Sequence, residues 1–340
     1  MSKKYNVAVV GATGLVGETM ISILEERNFP VDKLHLLASD RSAGKTLKFG
    51  KQKITVQDLS TFDFKGVDIG LFSAGGSVSA EYAPRAAEAG CVVIDNTSYF
   101  RQEEDIPLVV PEVNPEAIAA YTKRGIIANP NCSTIQMLVA LKPLRDAFGI
   151  HRIIVSTYQA VSGAGRRHME DLAKQTALLM NGRPADSKLY KKPLAFNVLP
   201  HIDVFEDSGY TREEMKMVRE TRKIFGDPDI RVTATAVRVP VFFGHSESIY
   251  IETRDPVTVA KARKLLKKAP GVVLMDDPAK PRYPTAATDA ANKDAVFVGR
   301  IRQDLDSDRG LNLWVVADNV RKGAALNSIQ IAELLVKEYL

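Results

Sequence analysis

Cys132 has the surroundings that most invite chemistry. It stands in Asn129-Pro130-Asn131-Cys132-Ser133-Thr134, a polar turn directly before an apolar run that begins at Ile135. Asn131 or Ser133 is suited to cap a helix starting there. A thiol at a helix N-terminus feels the positive end of the helix dipole and unpaired N–H groups, both of which favour thiolate. The same N–H groups are placed to stabilise an oxyanion. The second cysteine is an internal control. Cys91 opens the apolar stretch Cys91-Val92-Val93-Ile94-Asp95, where a thiol is inert packing.

A second constellation lies at the N-terminus. Gly11-Ala12-Thr13-Gly14-Leu15-Val16-Gly17 follows an apolar strand and opens a helix. Glycines there let the backbone approach a pyrophosphate, and the helix start turns free N–H groups toward the anion. The spacing is G-x-x-G-x-x-G, a variant of the usual dinucleotide fingerprint. The next strand ends in Ala38-Ser39-Asp40-Arg41-Ser42. No acid sits at the strand end itself, where an NAD site would hold the ribose 2′-OH. Ser39, Arg41 and Ser42 offer donors for a 2′-phosphate, which favours NADP; an inward-pointing Asp40 would make NAD competitive. A thiol nucleophile beside a nicotinamide suggests acyl-thioester chemistry, with an aldehyde interconverted with an activated acid.

Partners for that chemistry follow from position. His245 stands in Phe242-Phe243-Gly244-His245-Ser246, at a strand start. An imidazole titrates near neutrality and is suited to protonating an alkoxide. A hydrogen-bonded strand-end histidine is the plainer alternative, and the residues alone leave both open. His35, His151 and His201 read as structural or surface residues, and His168 has no evident partner. Arg238 shares a strand face with Val232, Ala234 and Ala236. Its rigid fork suits a substrate carboxylate, with an internal ion pair as the alternative. Gln159 precedes the Ser162-Gly163-Ala164-Gly165 turn, and an uncharged amide near Cys132 would orient thiol or carbonyl without quenching a thiolate. Arg101 lies in the loop after a first-domain strand, where such sheets bind ligands; with Lys216 it is a candidate to hold a phosphate. Glu213 and Lys216 are i, i+3 on a helical stretch, so both face one side. Glu213 is suited to a substrate ammonium, unless this charged helix is simply a solvated face.

The elements that must position these groups are legible in outline. Short apolar strands at 5–10, 34–38, 69–72, 91–95 and 126–128 alternate with helices at 15–27 and 79–89, which argues for a parallel sheet covered on both faces. After Cys132 come a helix over 133–147, which Pro143 is expected to bend or end, and longer strands at 152–161, 231–239, 246–253, 295–302 and 311–317. These predict a second domain on a mixed or antiparallel sheet whose free face carries a subunit interface. A last helix over 325–340 returns to the first domain, and the boundary falls at Asn129–Asn131. The fold class is thus α/β: a Rossmann-type doubly wound parallel sheet (1–131 with 319–340) plus an α+β catalytic and dimerisation domain (132–318).

Composition excludes other classes. The 340 residues carry 46 Lys+Arg against 41 Asp+Glu, a formal charge of +5, with 45% hydrophobic residues. That is ample for two cores and too weakly basic, without clustering, for a nucleic-acid groove. Two cysteines make no disulfide framework. The first apolar run breaks at Gly11, too short for a signal peptide, and no stretch reaches membrane-spanning length. A reduced, cytoplasmic, metal-free enzyme is the expectation.

Taken in order, GATGLVG (11–17), ASDRSAGK (38–45), SAGGS (73–77), DNTSYFR (95–101), VPEVN (110–114), NPNCST (129–134), TYQAVSGAG (157–165) and VRVPVFFGHSES (237–248) closely resemble the bacterial-type aspartate-β-semialdehyde dehydrogenases over nearly the whole chain. The resemblance implies NADPH-dependent reductive dephosphorylation of L-aspartyl 4-phosphate through a thioacyl cysteine, in lysine, threonine, methionine and isoleucine biosynthesis, by a homodimer. It assigns Cys132 as nucleophile, His245 to acid/base work and Gln159 to the active site. Arg101, Glu213, Lys216 and Arg238 fall to substrate and phosphate. Gly11, Thr13, Gly14, Leu15, Val16, Ser39, Arg41, Ser42, Ser73, Gly75, Gly163 and Asn319 fall to NADP. A related N-acetyl-γ-glutamyl-phosphate reductase typically has a Gly-Cys-Tyr-Pro-like turn around its cysteine, unlike NPNCST. A non-catalytic dinucleotide sensor would need no set such as Cys132, Gln159, Arg238 and His245.

Overall fold

The computed structural model describes residues 3–340. The chain divides into two compact units, one running to Pro130 and resuming at Ala324–Leu340, the other spanning Asn131–Gly323.

The first unit contains β1 (Tyr5–Val10), α1 (Leu15–Glu26), β2 (Val31–Ala38), β3 (Thr46–Phe49), β4 (Gln52–Asp58), β5 (Ile69–Phe72), α2 (Gly76–Glu88), β6 (Val92–Asp95) and β7 (Ile126–Ala128). Its strand order is β3-β4-β2-β1-β5-β6-β7. All pairings are parallel except β3–β4. The chain leaves β1 toward β2 and later returns to β5 on the other side of β1. This strand-order reversal opens a crevice at the carboxyl ends of the strands. The hydrophobic runs are continuous because both faces of these strands are buried: β1 is buried at Val7–Val10, and β5 and β6 along their length. The β3–β4 hairpin escapes the sequence reading because its residues are mostly exposed and carry no apolar run.

The second unit contains α3 (Cys132–Phe148), β8 (Ile150–Gln159), α4 (Arg166–Met180), α5 (Arg212–Phe225), β9 (Arg231–Arg238), β10 (His245–Thr253), α6 (Val259–Leu266), β11 (Val272–Leu274), β12 (Val296–Gln303) and β13 (Gly310–Ala317). Its mixed sheet has the order β11-β12-β13-β10-β8-β9. β10 pairs antiparallel with β8 and β13, and β8 pairs parallel with β9. Buried residues alternate along β8 and β10, so one face is core and the other outward. Pro143 does not end α3, which continues to Phe148. Leu141, Leu144 and Phe148 are buried on either side of it, and their packing outweighs the one lost hydrogen bond.

The final helix, α7 (Leu326–Glu338), belongs to the first unit. Leu326, Ile329, Ala332 and Leu335 join the same buried cluster as Val7, Met20 and Ile94. Residues 319–323, expected with the first domain, lie in the second unit, because Asn319 hydrogen-bonds Ser162 and Gly244 there. Asn131 lies there too, held by two carboxylates of α5. Among the described residues, no helix is long and apolar enough to cross a membrane.

Candidate active site

The residues around Cys132 are fixed by α5. Thr211 and Glu214 form a reciprocal capping box at its start, and Gly226 ends it in the left-handed conformation. Glu214 also accepts from Ala236 N at 2.9 Å, tying α5 to β9. Two further glutamates, seven residues apart and so on one helix face, grip Asn131. Glu220 accepts from its backbone N–H at 2.7 Å, and Glu213 from its side-chain amide at 2.9 Å. Asn131 in turn caps α3, its Oδ1 accepting from Ser133 N at 3.0 Å and Thr134 N at 3.3 Å. Cys132 is the first residue of α3 and half-buried. Gly323 makes room for it: a Cβ there would lie 2.7 Å from the Cys132 Cβ. One expectation changes. The Ser133 and Thr134 N–H groups are spent on the Asn131 cap, so the helix start does not offer them to an oxyanion.

Gln159, at the end of β8, is buried. Its amide lies 3.0 Å from Ser133 Oγ, 3.2 Å from Thr157 Oγ1 and 3.3 Å from Glu213 Oε1. Glu213 thereby joins Asn131, Gln159 and Lys216 Nζ, the last at 3.0 Å. Burial pushes the Glu213 carboxyl upward, but Lys216, the Asn131 hydrogen bond and the Arg238 charge outweigh it and hold the pKa at about 2. Burial works against the Lys216 ammonium, and Glu213 and Asp203 more than offset it, so its pKa is raised. Glu213 is therefore a committed ion-pair and hydrogen-bond anchor rather than a bare carboxylate facing a ligand.

Arg238 ends β9 beside Gln159 in the parallel ladder. Its Nη1 donates to Ala160 O at 2.7 Å, while its buried Nε has no partner. His245 opens β10 and is fully buried. Its Nδ1 accepts from Ala160 N at 3.0 Å, so the neutral ring carries its proton on Nε2, which has no partner. Burial and then Arg238 hold this imidazole at about 3. Gly163 sits between the two: a Cβ there would lie 3.4 Å from His245 Nε2 and 3.7 Å from Arg238 Nη1. Asn319 spends its side chain on Gly244 N and Ser162, which sets the turn into His245. Gly163 and Asn319 are the second-unit residues expected at the cofactor; here Gly163 lies against His245 and Arg238, and Asn319 holds the turn before His245.

A cavity of about 650 Å³ adjoins Arg238, walled by His168, Tyr190, Lys191, His201 and Phe205, a size that suits a small ligand. His168 stacks edge-on to Tyr190, and His168 Nδ1 and the Tyr190 hydroxyl are buried without partners. Sequence reasoning missed this wall. Its signal was the run Tyr190-Lys191-Lys192 in a segment without periodicity.

In the first unit the glycine turn has the shape its spacing demands. Gly11 has φ +88°, and a Cβ on it would meet Ser73 O at 2.7 Å. A Cβ on Gly17 would meet Gly11 O at 2.2 Å, so α1 packs against the turn only without side chains. Gly14 caps α1 with no side chain, and Leu15 and Val16 begin it. Thr13 Oγ1 reaches Ser42 Oγ at 3.5 Å, which places the β1 and β2 loops side by side. Ser39 and Arg41 are exposed, and Asp40 bends back to accept from Arg41 N at 2.7 Å. Ser73 N donates to Val10 O at 2.8 Å, and Gly75 enters α2 at φ +101°. Arg101 is buried, with Nε on Asn129 O at 2.9 Å and Nη2 on Asn96 O at 3.0 Å. This glycine-lined crevice, closed to any Cβ at Gly11, fits a dinucleotide pyrophosphate.

A glycine-turn Rossmann unit and an α+β unit with a helix-start cysteine together define a two-domain, dinucleotide-binding aldehyde dehydrogenase of the semialdehyde type. The family models agree: residues 6–121 match "Semialdehyde dehydrogenase, NAD binding domain" and 141–322 match "Semialdehyde dehydrogenase, dimerisation domain". The chain belongs to the aspartate-semialdehyde dehydrogenase family. It is 61% identical over 340 residues to the aspartate-semialdehyde dehydrogenase of Legionella pneumophila, covering 100% of this chain and 98% of that one. A crystal structure of aspartate semialdehyde dehydrogenase II from Vibrio cholerae, complexed with ASA, superposes with a TM-score of 0.98 at 58% identity, covering 100% of both chains. An aspartate semialdehyde dehydrogenase with NADP from Candida albicans does so with 0.76 at 27% identity, covering 98% of each. The N-acetyl-γ-glutamyl-phosphate reductase alternative is not favoured.

Proposed function

We propose that this chain reduces L-aspartyl 4-phosphate to L-aspartate 4-semialdehyde with NADPH, releasing inorganic phosphate. The observation that carries the reading is Cys132 at the start of α3, its cap formed by Asn131, in the same unit as Gln159, Arg238 and His245, each held by a buried hydrogen bond, with Gln159 bonded to Ser133, the residue after the cysteine. The Cys132 thiolate attacks the acyl carbonyl; the C–O bond to phosphate breaks and a thioester remains. The nicotinamide, when bound, supplies a hydride to that carbonyl. The resulting alkoxide collapses to the aldehyde and returns the electron pair to sulfur.

Hydride transfer and the collapse of the alkoxide need no net proton if the sulfur rests as thiolate; the departing phosphate takes one proton from solvent as it leaves, so each turnover consumes one. An N–H donor at the oxyanion suffices, and His245 Nε2–H is such a donor. Its role narrows accordingly from proton donor to hydrogen-bond donor. A general-acid role would require the ring to gain a proton on Nδ1, where the Ala160 N–H already points. Arg238 lines the second-unit cavity, and its guanidinium, one arm of which is held by Ala160 O, is the candidate partner of the substrate carboxylate. Lys216 uses two of its three N–H donors on Asp203 and Glu213, leaving one for phosphate, with Arg101 as the second candidate. Substrate binding away from the reacting carbon supplies orientation.

Ser39, Arg41 and Ser42 support NADP, since Asp40 is turned onto its own loop. A homodimer is supported by the family's dimerisation domain and by the outward face of the second sheet, where Ile154 and Tyr158 are exposed and Tyr158 contacts Trp314. The test is NADPH formation from L-aspartate semialdehyde. It should depend on phosphate or arsenate and fail with N-acetyl-γ-glutamyl semialdehyde. Activity indifferent to phosphate refutes the reading.

A further inference from the structure

The second unit holds a smaller cavity that the chemistry above does not use. It measures about 300 Å³, and Arg263, Arg282, Arg300 and Arg302 line it. The one acid in its wall is Asp276, already gripped by Arg263 through Nε at 2.8 Å and Nη2 at 2.7 Å. Among the described residues, Arg282, Arg300 and Arg302 form no ion pair. Four guanidinium groups against one carboxylate leave the wall with a net charge of +3.

The fold holds these charges together instead of letting them spread. β12 shifts register between Gly299 and Arg302, and Arg300 stands in that shift with φ +52°. Such a bulge re-aims side chains, and an arginine in the left-handed region carries a backbone cost that glycine would avoid. Arg302 is oriented by its own Nη1, which donates to Arg300 O. A second wall is the 276–283 loop, closed on itself: Asp277 N donates to Arg282 O at 3.0 Å, and Arg282 N to Asp277 O at 2.9 Å. Gly299 lets the chain after this loop lie on β12, since a Cβ there would meet Pro284 Cδ at 2.7 Å. Trp314 Nε1 fastens it by donating to Pro284 O at 3.0 Å. Partial burial and the adjacent Arg300 charge lower the Arg302 pKa, with Asp276 opposing. Like charges held this close repel one another, and an anion between them removes the repulsion.

We propose that this cavity is a binding site for a small polyanion of the phosphate class, its oxygens taken by the Arg282, Arg300 and Arg302 guanidinium groups. A guanidinium fork matches phosphate oxygens in pairs, and a wall of +3 calls for more negative charge than one carboxylate brings. The volume lies at the lower end of small-molecule sites, so the ligand is compact. The Tyr283 ring, 46% exposed, also lines the cavity and offers a stacking face if the phosphates belong to a nucleotide. None of these residues is assigned to the reaction above, so the site stands or falls apart from it.

The probe is sodium pyrophosphate, titrated calorimetrically into the full-length enzyme with NADP at about ten times its Kd to fill the glycine-turn crevice. The parent should bind one more pyrophosphate per chain than Arg300→Gln/Arg302→Gln. That variant should keep kcat and both KM values within about twofold. Lys267→Gln/Lys268→Gln removes the same charge at exposed positions outside the cavity and should bind like the parent. ADP is the second arm. Binding tighter than pyrophosphate, falling to the pyrophosphate level in Tyr283→Ala, makes the source a nucleotide; equal affinities make it a free polyphosphate. If the double arginine variant does not fold, Arg282→Gln decides, with affinity at this site expected to fall by about tenfold or more. Equal pyrophosphate stoichiometry in parent and Arg300→Gln/Arg302→Gln, or an equal loss in the lysine variant, overturns the proposal. If stoichiometry is equal and the arginine variant sediments as a monomer where the parent is a dimer, the cavity is a subunit contact instead.

Discussion

The two cysteines occupy opposite environments in one chain. Cys91 is 1% exposed beneath the first sheet, its Sγ 3.8 Å from Val92 O, and burial followed by the Asp68 charge pushes its thiol far up. Cys132 begins a helix whose cap is gripped by Glu213 and Glu220. The residue type is the same; what differs is that one sits against apolar strands and the other against a built polar scaffold. Reactivity here is a property of the surrounding hydrogen bonds, not of sulfur.

The largest expected effect breaks that contrast directly. Cys132→Ala should reduce turnover by about 10⁴-fold or more, as loss of a covalent nucleophile does. NADPH binding measured by fluorescence should persist. Arg238→Lys keeps charge but loses the fork, and kcat/KM for the semialdehyde should fall by about 10–100-fold; a fully active variant would sink the carboxylate assignment. Asn131→Ala removes the cap, which should lower stability by roughly 1 kcal/mol in urea titration and slow alkylation of Cys132. Cys91→Ala should leave kcat within about twofold and cost only a packing term of about 1 kcal/mol.

Acid titration sharpens the same comparison from the scaffold side. Glu213 is held at about 2 against an ordinary 4.5, so the stability it contributes is present above pH 4.5 and is lost as pH falls toward 2. His245 is held at about 3 against 6.5, so the unfolded chain takes up a proton first and stability declines as pH drops from 6.5 toward 3. Melting curves of His245→Gln should therefore lack the slope between those values, and those of Glu213→Gln the slope below pH 4.5.

Strands such as Tyr5–Val10, Ile69–Phe72 and Ile126–Ala128 were legible because each is a dry apolar run ended by turn residues. The glycine turn and Cys132 were legible because their chemistry is local. The β3–β4 hairpin and α4 were not: the hairpin strands are mostly exposed and carry no apolar run, and α4 buries only Leu172 and Gln175. Long-range polar pairing left no trace either. That Asn131 would be shared by two glutamates 82 and 89 residues away, or that Asn319 would serve Ser162 157 residues back, depends on packing no local pattern encodes.

The return of α7 to the first unit bears on how the molecule comes into being. Its Leu326, Ile329 and Leu335 complete a core begun by Val7 and Val9. During synthesis the nucleotide-binding unit must wait, with part of its interior open, until the whole intervening unit has left the ribosome. The first unit is not a severable module in the order of the gene, and a nonsense mutation near the end would damage the beginning.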